Sequence, residues 1–391
     1  MKNLVLGLIA SAALSAAAEV TVTVDEVSQR WPWSKLVDIR YTISGAEAPV
    51  DVLCSATANG GTLPVPVPLL LALGKSNGSH VYTWDPVPLA GRQVIADFNP
   101  VLTAARSDPA YLIVDLDKKP GEAGQVELIC EDDLHAGTYG SVETNLFGLA
   151  GYAWTGITNE PWYAACTTSK MAFRRIRAGT VNNASGKPVT VEKDFFEAVF
   201  ELTEAQWRKI SGMSGTVRGD ACPRVSVISY NALRGSVTDD PTVNWPTTGY
   251  RVSPDSLVAR FRKMTGFAAA DIPSAAQWEY ACRAGSSGTT LYNNGKSEYP
   301  LEVISQPHVD EHGSVMSVGG KMPNAWGLYD TLGNANEWAL DFASATTSQR
   351  QRRGGSFFGG TRDCSTVYAG FADDKDGYKM NGVRLVINIV D

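Results

Sequence analysis

The N-terminal part of the chain alternates apolar and polar residues over short runs. Such runs lie at EVTVTVDEV (residues 19–27), LVDIRYTISG (36–45), VDVLCSATANGG (50–61), HVYTWDPVPLAG (80–91) and QVIADFNPVL (93–102). Most of them end in or are followed by Gly, Pro or Asn, the residues that favour turns. Short alternating runs with turn signals at this spacing are typical of an antiparallel sandwich. The pattern therefore predicts an all-β, immunoglobulin-like or fibronectin-like domain over residues 20–114.

The next segment, residues 115–169, has a weaker pattern. YLIVDLD (residues 111–117) and QVELICEDD (125–133) are apolar enough to form strands. The residues after them are rich in Gly, Thr and Asn with scattered aromatics, which is typical of a long connection. We interpret residues 115–169 as a bridging segment between two domains.

From residue 170 onward the pattern mixes strands with amphipathic helices. Thr203 opens a capping box, and Ser274 opens a second one. A further helix is predicted to begin at Ser253, with Pro254 in its first turn, and to end at Gly266. Helices with caps, set among short strands and long glycine-rich loops, indicate an α+β domain over residues 170–391.

The first residues indicate export. Lys2 precedes an apolar stretch from Leu4 to Ala17, and an A-x-A site predicts cleavage after Ala18. The apolar stretch is shorter than the about 20 residues that span a bilayer, so we expect a signal peptide over residues 1–18 and no transmembrane segment. The mature protein is then periplasmic, attached to the cell surface or extracellular.

Charge and cysteine content narrow the function classes. The net charge of −7 gives no attraction to nucleic acid or to an anionic membrane surface, so we expect neither as a partner. The 6 cysteines are an even number and include no C-x-x-C pair, which favours disulfides over a zinc site. No phosphate-binding glycine motif and no nucleophile elbow is present.

Five segments carry a resemblance to a known family. They are FFEAVFELTEAQW (residues 195–207), IPSAAQWEYACRAG (272–285), PNAWGLYDTLGNANEWALD (323–341), RRGGSF (352–357) and NGVRL (381–385). In this order they resemble the sulfatase-modifying-factor family, which contains the formylglycine-generating enzyme, over residues of about 170–390. The resemblance implies a C-type-lectin-like fold with long irregular loops.

The resemblance also implies a test for copper oxidase chemistry. Copper(I) is a soft ion that prefers thiolates, and the enzyme holds it with two cysteines after the Gly-Gly-Ser motif. The matching positions after Ser356 are Gly359 and Cys364, so one thiolate is missing. Asn336 stands where the enzyme has a tryptophan. We therefore expect no copper site and no oxidase activity; the alternative is a formylglycine-generating-type oxidase or related modifying enzyme that uses Cys364 and Ser356.

Cys364 is then available for a disulfide. The helix that carries Cys282 is expected to pack beneath the Gly-Gly-Ser segment, which makes Cys282 the favoured partner of Cys364. Such a bridge would stabilise an exported domain by about 2–5 kcal/mol. The remaining pairings stay open among several connectivities.

A structural calcium site is expected in the segment DTLGNANE. The resemblance assigns side-chain ligand roles to Asp330 and Glu337 and backbone-carbonyl roles to Gly333 and Ala335. Calcium prefers such oxygen ligands. The alternative is that these residues only cap turns and hold the loop by hydrogen bonds. Arg353 and Arg384 adjoin the motifs and are expected to pair with Asp or Glu, because lone buried charges are rare.

The stretch from Phe357 to Tyr378 is the predicted contact surface. It mixes aromatic, glycine and aspartate residues, a composition that suits recognition of a protein or a glycan. The residues proposed for this surface are Phe357, Phe358, Arg362, Tyr368, Phe371 and Tyr378. The sequence thus favours an exported binding protein over a modifying enzyme.

Overall fold

The computed structural model describes residues 20–30, 36–47, 49–58, 63–64, 70–84, 97–106, 109–120, 122, 124–130, 161–214, 218–226, 228–236, 251–286, 314–344, 349–359 and 363–389. The predicted signal peptide lies outside these residues. The strands are β1 Thr21–Gln29, β2 Val37–Ser44, β3 Val50–Ala58, β4 Leu63–Pro64, β5 Leu70–Lys75, β6 Gly78–Trp84, β7 Asn99–Arg106, β8 Pro109–Asp115, β9 Val126–Cys130, β10 Lys170–Ile176, β11 Gly179–Asn182, β12 Pro188–Val191, β13 Phe195–Ala198, β14 Ala270–Asp271, β15 Asn336–Phe342, β16 Arg350–Arg353, β17 Ala369–Ala372, β18 Asn381–Gly382 and β19 Val386–Asn388. The helices are α1 Pro161–Cys166, α2 Glu204–Ser211, α3 Tyr230–Arg234, α4 Leu257–Thr265 and α5 Ala275–Arg283.

The N-terminal part, β1 to β7, consists of antiparallel strands in its described residues. One sheet has the order β1-β2-β6, and in the other β3 pairs with β4, β5 and β7. Ile39 and Tyr41 of β2 share one apolar cluster with Val52 of β3 and Leu102 of β7, so both sheets contribute to the same core. The alternation read from the sequence thus marks real strands, and the immunoglobulin-like or fibronectin-like assignment stays a prediction.

The C-terminal part is built on a six-stranded antiparallel sheet of order β14-β19-β13-β10-β8-β9. β8 pairs with β10, so that Leu112 faces Phe173 across the ladder. Leu112 and Val114 belong to the largest apolar cluster of this part. The boundary predicted at residue 114 therefore falls inside a strand of this sheet, and β9 of the predicted bridging segment extends the same sheet.

Helix caps fix where the helices of this part begin. The side chain of Thr203 accepts a hydrogen bond from Gln206 N at the start of α2, and Ser274 accepts one from Gln277 N at the start of α5. Both capping boxes are as predicted. The predicted start of α4 at Ser253 is wrong: residues 253–256 form a turn, in which Ser256 N donates to Ser253 O, and Ser256 caps the helix.

The C-terminal part also contains a four-stranded sheet of order β17-β16-β15-β18. Trp338 and Leu340 of β15 pack in the same apolar cluster as Phe173 of β10 and Phe261 of α4. This mixture of helices and antiparallel strands confirms the α+β class, whereas the C-type-lectin-like assignment stays a prediction. Among the described residues, none of the helices has the length and apolar character needed to cross a membrane.

Candidate functional site

An ion pair between Arg384 and Glu337 lies at the centre of the C-terminal part. β15 and β18 run parallel, and the register places Glu337 beside Gly382, two residues before Arg384. Nη2 of Arg384 donates to Oε1 of Glu337 at 2.7 Å, and Nε lies 3.1 Å from both carboxylate oxygens. Both side chains are buried, which confirms that Arg384 pairs with an acid.

The same guanidinium connects three segments of backbone. Nη1 of Arg384 donates to the carbonyls of Ala198 and Val199, and Nη2 donates to the carbonyl of Tyr329. Burial lowers the pKa of Arg384, but the neighbouring Glu337 carboxylate more than offsets this, so that the pKa is raised overall. Arg384 thus stays charged and holds β13, the turn after Tyr329 and β15 together.

Two further contacts complete this network. Nε1 of Trp278 on α5 donates to Oε2 of Glu337 at 2.6 Å, so both Glu337 oxygens have donors within the chain. Arg353 donates to Oε2 of Glu279 at 2.8 Å, which confirms the pairing expected for the second arginine.

The segment predicted to bind calcium forms a tight turn. Asp330, Gly333 and Asn334 have positive φ values of 55°, 89° and 56°. Oδ2 of Asp330 accepts a hydrogen bond from Gly319 N at 2.6 Å. Glu201 accepts from Ala335 N at 2.9 Å and from Nδ2 of Asn334 at 2.7 Å. The turn is therefore anchored by two buried carboxylates from different parts of the chain.

Three buried carboxyl groups lie around this turn, and they repel one another when charged. Glu201, Asp330 and Glu337 are all buried, and the positive charge of Arg384 interacts with all three carboxyl groups. Burial raises the pKa of Asp330 to about 6, and the Glu337 carboxylate raises it as well. Burial, together with Asp330 and Glu337, raises the pKa of Glu201 well above its usual range. An added cation would offset these like charges.

The donor set of the turn suits calcium in type. A carboxylate at Asp330 and backbone carbonyls at Gly333 and Ala335 are hard oxygen ligands. Glu337 is the weakest of the four predicted ligands, because Arg384 and Trp278 already donate to its oxygens. Among the described residues no three His, Cys, Asp or Glu side chains are grouped as metal ligands, so carbonyl oxygens would have to supply part of the coordination.

The positions that match the oxidase cysteines lie after β16. Cys364 is buried, with its sulfur 4.0 Å from the carbonyl oxygen of Ser356. The hydroxyl of Ser356 accepts a hydrogen bond from Phe358 N at 3.3 Å. A Cβ atom placed on Gly359 would lie 2.8 Å from Oδ2 of Asp363. A carboxylate thus occupies the space into which a side chain at residue 359 would project.

Asn336 is buried at the position of the enzyme's tryptophan. Its backbone N–H donates to Met380 O at 2.8 Å, which fixes the strand beside β18. Its Oδ1 is enclosed and has no hydrogen-bond partner among the described residues. A short, enclosed amide therefore stands where the resemblance implies an indole.

The predicted disulfide between Cys282 and Cys364 is not present. Both residues share an apolar cluster with Trp278 and Leu332, so α5 does pack beneath the Gly-Gly-Ser segment as expected. However, Sγ of Cys282 lies 3.9 Å from Thr331 O, and the cysteines that the structure describes form no disulfide. The two sulfurs face different backbone carbonyls, and burial raises the pKa of Cys282 to about 12.

The predicted contact surface is divided between core and solvent. Phe358, Phe371 and Tyr378 are 50%, 46% and 49% exposed, and Tyr368 is partly buried. Phe357 is only 2% exposed, so its assignment to the surface is wrong. Its N–H donates to Asn334 O, and its ring packs in an interior apolar cluster. Arg362 lies outside the described residues.

Two cations that the sequence reasoning missed connect the exposed rings. Nζ of Lys379 lies 4.5 Å from the ring centre of Phe358, and the guanidinium of Arg352 lies 5.8 Å from that of Tyr378. Nη2 of Arg352 also donates to Phe371 O at 2.9 Å. Arg352 directly precedes Arg353 in the quoted motif, and Lys379 follows Tyr378, so proximity in sequence could have indicated both.

The two cation–ring contacts meet at the adjacent residues Tyr378 and Lys379, and together they mark one region of the surface. We call it the aromatic surface, and it consists of Phe358, Tyr368, Phe371 and Tyr378 with the cations Arg352 and Lys379. Tyr368 joins it where β17 begins, and its hydroxyl oxygen would lie 2.6 Å from a Cβ placed on Gly370. The rings of Phe358, Phe371 and Tyr378 and the side chain of Lys379 are exposed to solvent, whereas Arg352 is partly buried.

Comparisons with known proteins agree with the motifs. The family model described as sulfatase-modifying factor enzyme 1-like domain matches residues 164–389. Chaperone protein LppX of Paenibacillus barcinonensis is 23% identical over 233 residues, which cover 52% of this chain and 82% of that protein. The formylglycine-generating enzyme of Streptomyces coelicolor is 35% identical over 85 residues, which cover 19% of this chain and only 27% of the enzyme. The solved structure of Treponema denticola variable protein 1 is similar at a TM-score of 0.43 and 19% identity, covering 56% of this chain and 95% of that one.

Proposed function

Because the chain belongs to the sulfatase-modifying factor enzyme 1-like domain family, we propose that it uses this domain to bind a protein or a glycan and lacks copper oxidase activity. The observation that carries the proposal is Gly359, where the carboxylate of Asp363 fills the space of the missing thiolate. Copper(I) requires soft ligands, and a hard carboxylate is a poor substitute. The name of the relative LppX, a chaperone protein, fits a binding role.

A copper titration of the full chain tests the absence of oxidase chemistry. The wild type is expected to show no tight copper(I) binding and no conversion of a cysteine-containing peptide to formylglycine. Gly359→Cys restores the second thiolate next to Cys364, and the Asp363 side chain can rotate away, so copper(I) binding should appear. Gly359→Ser adds similar bulk without sulfur and serves as the control. Turnover by the wild type would establish the alternative, an oxidase that uses Cys364 and Ser356.

A binding screen tests the aromatic surface. Labelled wild-type protein is applied to arrays of glycans and of peptides, and each bound spot is repeated with Phe371→Ser and Tyr378→Ser. Both variants should lose binding, because exposed rings are typical binding anchors. Val101→Ser is the matched control, since Val101 is 49% exposed but lies on β7 of the N-terminal part. Loss of binding in the control, or none in the two ring variants, would place the binding site elsewhere.

We also propose a structural calcium ion at the turn. Asp330, the carbonyl oxygens of Gly333 and Ala335, and Glu337 would hold it, and the ion would offset the buried negative charge of this region. Calcium at 100 times its dissociation constant should stabilise the protein by about 2.7 kcal/mol, measured as a rise in melting temperature over a chelator control. Asp330→Ala removes the side-chain oxygen and should abolish the rise, whereas Asp220→Ala, at an exposed carboxylate, should keep it. An equal melting temperature with calcium and with chelator would contradict the proposed calcium site.

Export and a separate N-terminal sandwich complete the proposal. We propose that residues 1–18 are removed on export and that residues 20–114 contain a β domain that spaces or docks the family domain. N-terminal sequencing of the mature protein should begin at Glu19. A mature protein that retains Met1 in the cytoplasm would contradict export.

A further inference from the structure

The central cation of the aromatic surface, Arg352, has neutral contact partners among the described residues. Arg352 donates to Oδ1 of Asn381 at 2.8 Å and to Phe371 O at 2.9 Å, and its third neighbour is the ring of Tyr378. Its Nε is buried and has no hydrogen-bond partner among the described residues. Burial lowers the pKa of Arg352, as expected for a guanidinium that lacks an adjacent carboxylate. Other buried arginines, such as Arg384 and Arg234, do pair with an acid.

Lys379 repeats this arrangement at the other end of the surface. It is exposed, its ammonium lies over the ring of Phe358, and within the described part of the chain no carboxylate forms an ion pair with it. The nearby aspartates, at positions 363, 373, 374 and 376, lie beyond ion-pair distance of both cations, although Asp376 acts on Arg352 at longer range. Two cations without acid partners therefore stand among aromatic rings in a chain of net charge −7.

The surroundings favour one class of ligand. The aspartates around the surface would repel a ligand with densely packed negative charges. The two cations can still attract single carboxylates, and the exposed rings favour a ligand in which these carboxylates are spaced among apolar groups. β17 is the last strand of its sheet in the described residues and pairs only with β16 there, so its outer edge can accept an extended chain. Exposed Phe371 projects from that strand.

We propose that the aromatic surface binds an extended acidic polypeptide segment, which pairs with the edge of β17 and places carboxylates against Arg352 and Lys379. This inference rests on the binding function proposed above and adds the chemistry of the partner. Apolar side chains of the segment pack on the rings of Phe371 and Tyr378. The carboxylates supply the charge partners that the described residues of the chain do not provide.

Selection from a phage-displayed library of random short peptides on the full chain tests this inference. The selected peptides should be enriched in Asp and Glu next to apolar residues, and Glu→Gln versions should bind more weakly. Lys379→Glu should weaken the selected peptides by about tenfold and make binding less sensitive to salt. Lys375→Glu is the matched control, because Lys375 is also exposed and lies four residues away. Arg352→Gln should weaken binding further, with circular dichroism confirming that it folds.

Each outcome separates this inference from the function on which it rests. Selected peptides without acidic enrichment, or equal losses for Lys379→Glu and Lys375→Glu, would overturn the acidic partner and leave ring-dependent binding intact. Binding of heparin or a neutral glycan without any peptide would overturn the polypeptide class but keep a glycan-binding protein. Peptides that bind equally well to Tyr378→Ser would overturn both proposals.

Discussion

Replacing Arg384 with methionine should remove a large part of the stability of the C-terminal part. The change would leave the Glu337 carboxylate buried without its cation and the carbonyls of Ala198, Val199 and Tyr329 without their donor. Removing one partner of a buried ion pair costs about 3–5 kcal/mol. A domain of ordinary stability has only about 5–15 kcal/mol in total. The expected variant therefore folds with markedly reduced stability, and it becomes marginal only if the wild type lies near the lower end of that range.

Denaturant unfolding followed by tryptophan fluorescence measures this loss. The tryptophans whose side chains the structure describes all lie in the C-terminal part, namely Trp162, Trp207, Trp278, Trp326 and Trp338. Arg208→Met is the control, because Asp220, the partner of Arg208, is 60% exposed, and such a pair should contribute at most about 1 kcal/mol. A loss for Arg384→Met no larger than that of Arg208→Met would refute the reasoning. The double variant Arg384→Met/Glu337→Met should recover part of the loss, since no unpaired charge remains.

Three further predictions concern the loop after β16 and the buried thiol of Cys282. Gly355→Ala should cost roughly 1–3 kcal/mol, because Gly355 has a φ of 76° and the added Cβ would lie 2.5 Å from Asp363 O. Gly186→Ala, at a similar φ of 74° but with nothing within 4 Å, should lose less in the same melting assay, and equal losses would contradict the steric argument. Cys282, whose pKa burial raises to about 12, should react with a thiol reagent only after unfolding, and rapid native reaction would show that it is accessible. The Cys282 thiol loses its proton at a lower pH in the unfolded chain than in the folded protein. The free energy of unfolding should therefore fall as the pH rises from about 9 towards 12. A denaturation midpoint that stays constant over that range would contradict this prediction.

Local features of the sequence predicted the parts of the fold that depend on local chemistry. The capping boxes at Thr203 and Ser274 satisfy backbone donors within three residues, so their geometry follows from the sequence alone. The sequence predicted that Arg384 pairs with an acidic residue, because burying an unpaired guanidinium has a large unfavourable free energy. The quoted motifs also located the turn at Asp330.

Features that depend on long-range packing were not predictable in this way. Alternation identifies a strand but not the sheet that it joins, so nothing in the pattern of β8 indicates that it pairs with β10. Phe357 and Phe358 are adjacent and equally apolar, and only the backbone path decides which of them is exposed. Glu201 reaches Ala335 across 134 residues, and no local pattern links the two.

The position of β19 has a consequence for how the protein is made. This strand, Val386–Asn388, lies between β13 and β14 in the interior of the six-stranded sheet. The sheet therefore remains split until residue 388 has left the ribosome, whereas β8, β9 and β10 are available much earlier. Such late, non-local pairing is slow and leaves strand edges open to aggregation. If the chain is exported as proposed above, this delay is an advantage, since a sheet that closes late leaves the polypeptide unfolded for passage through a translocation channel.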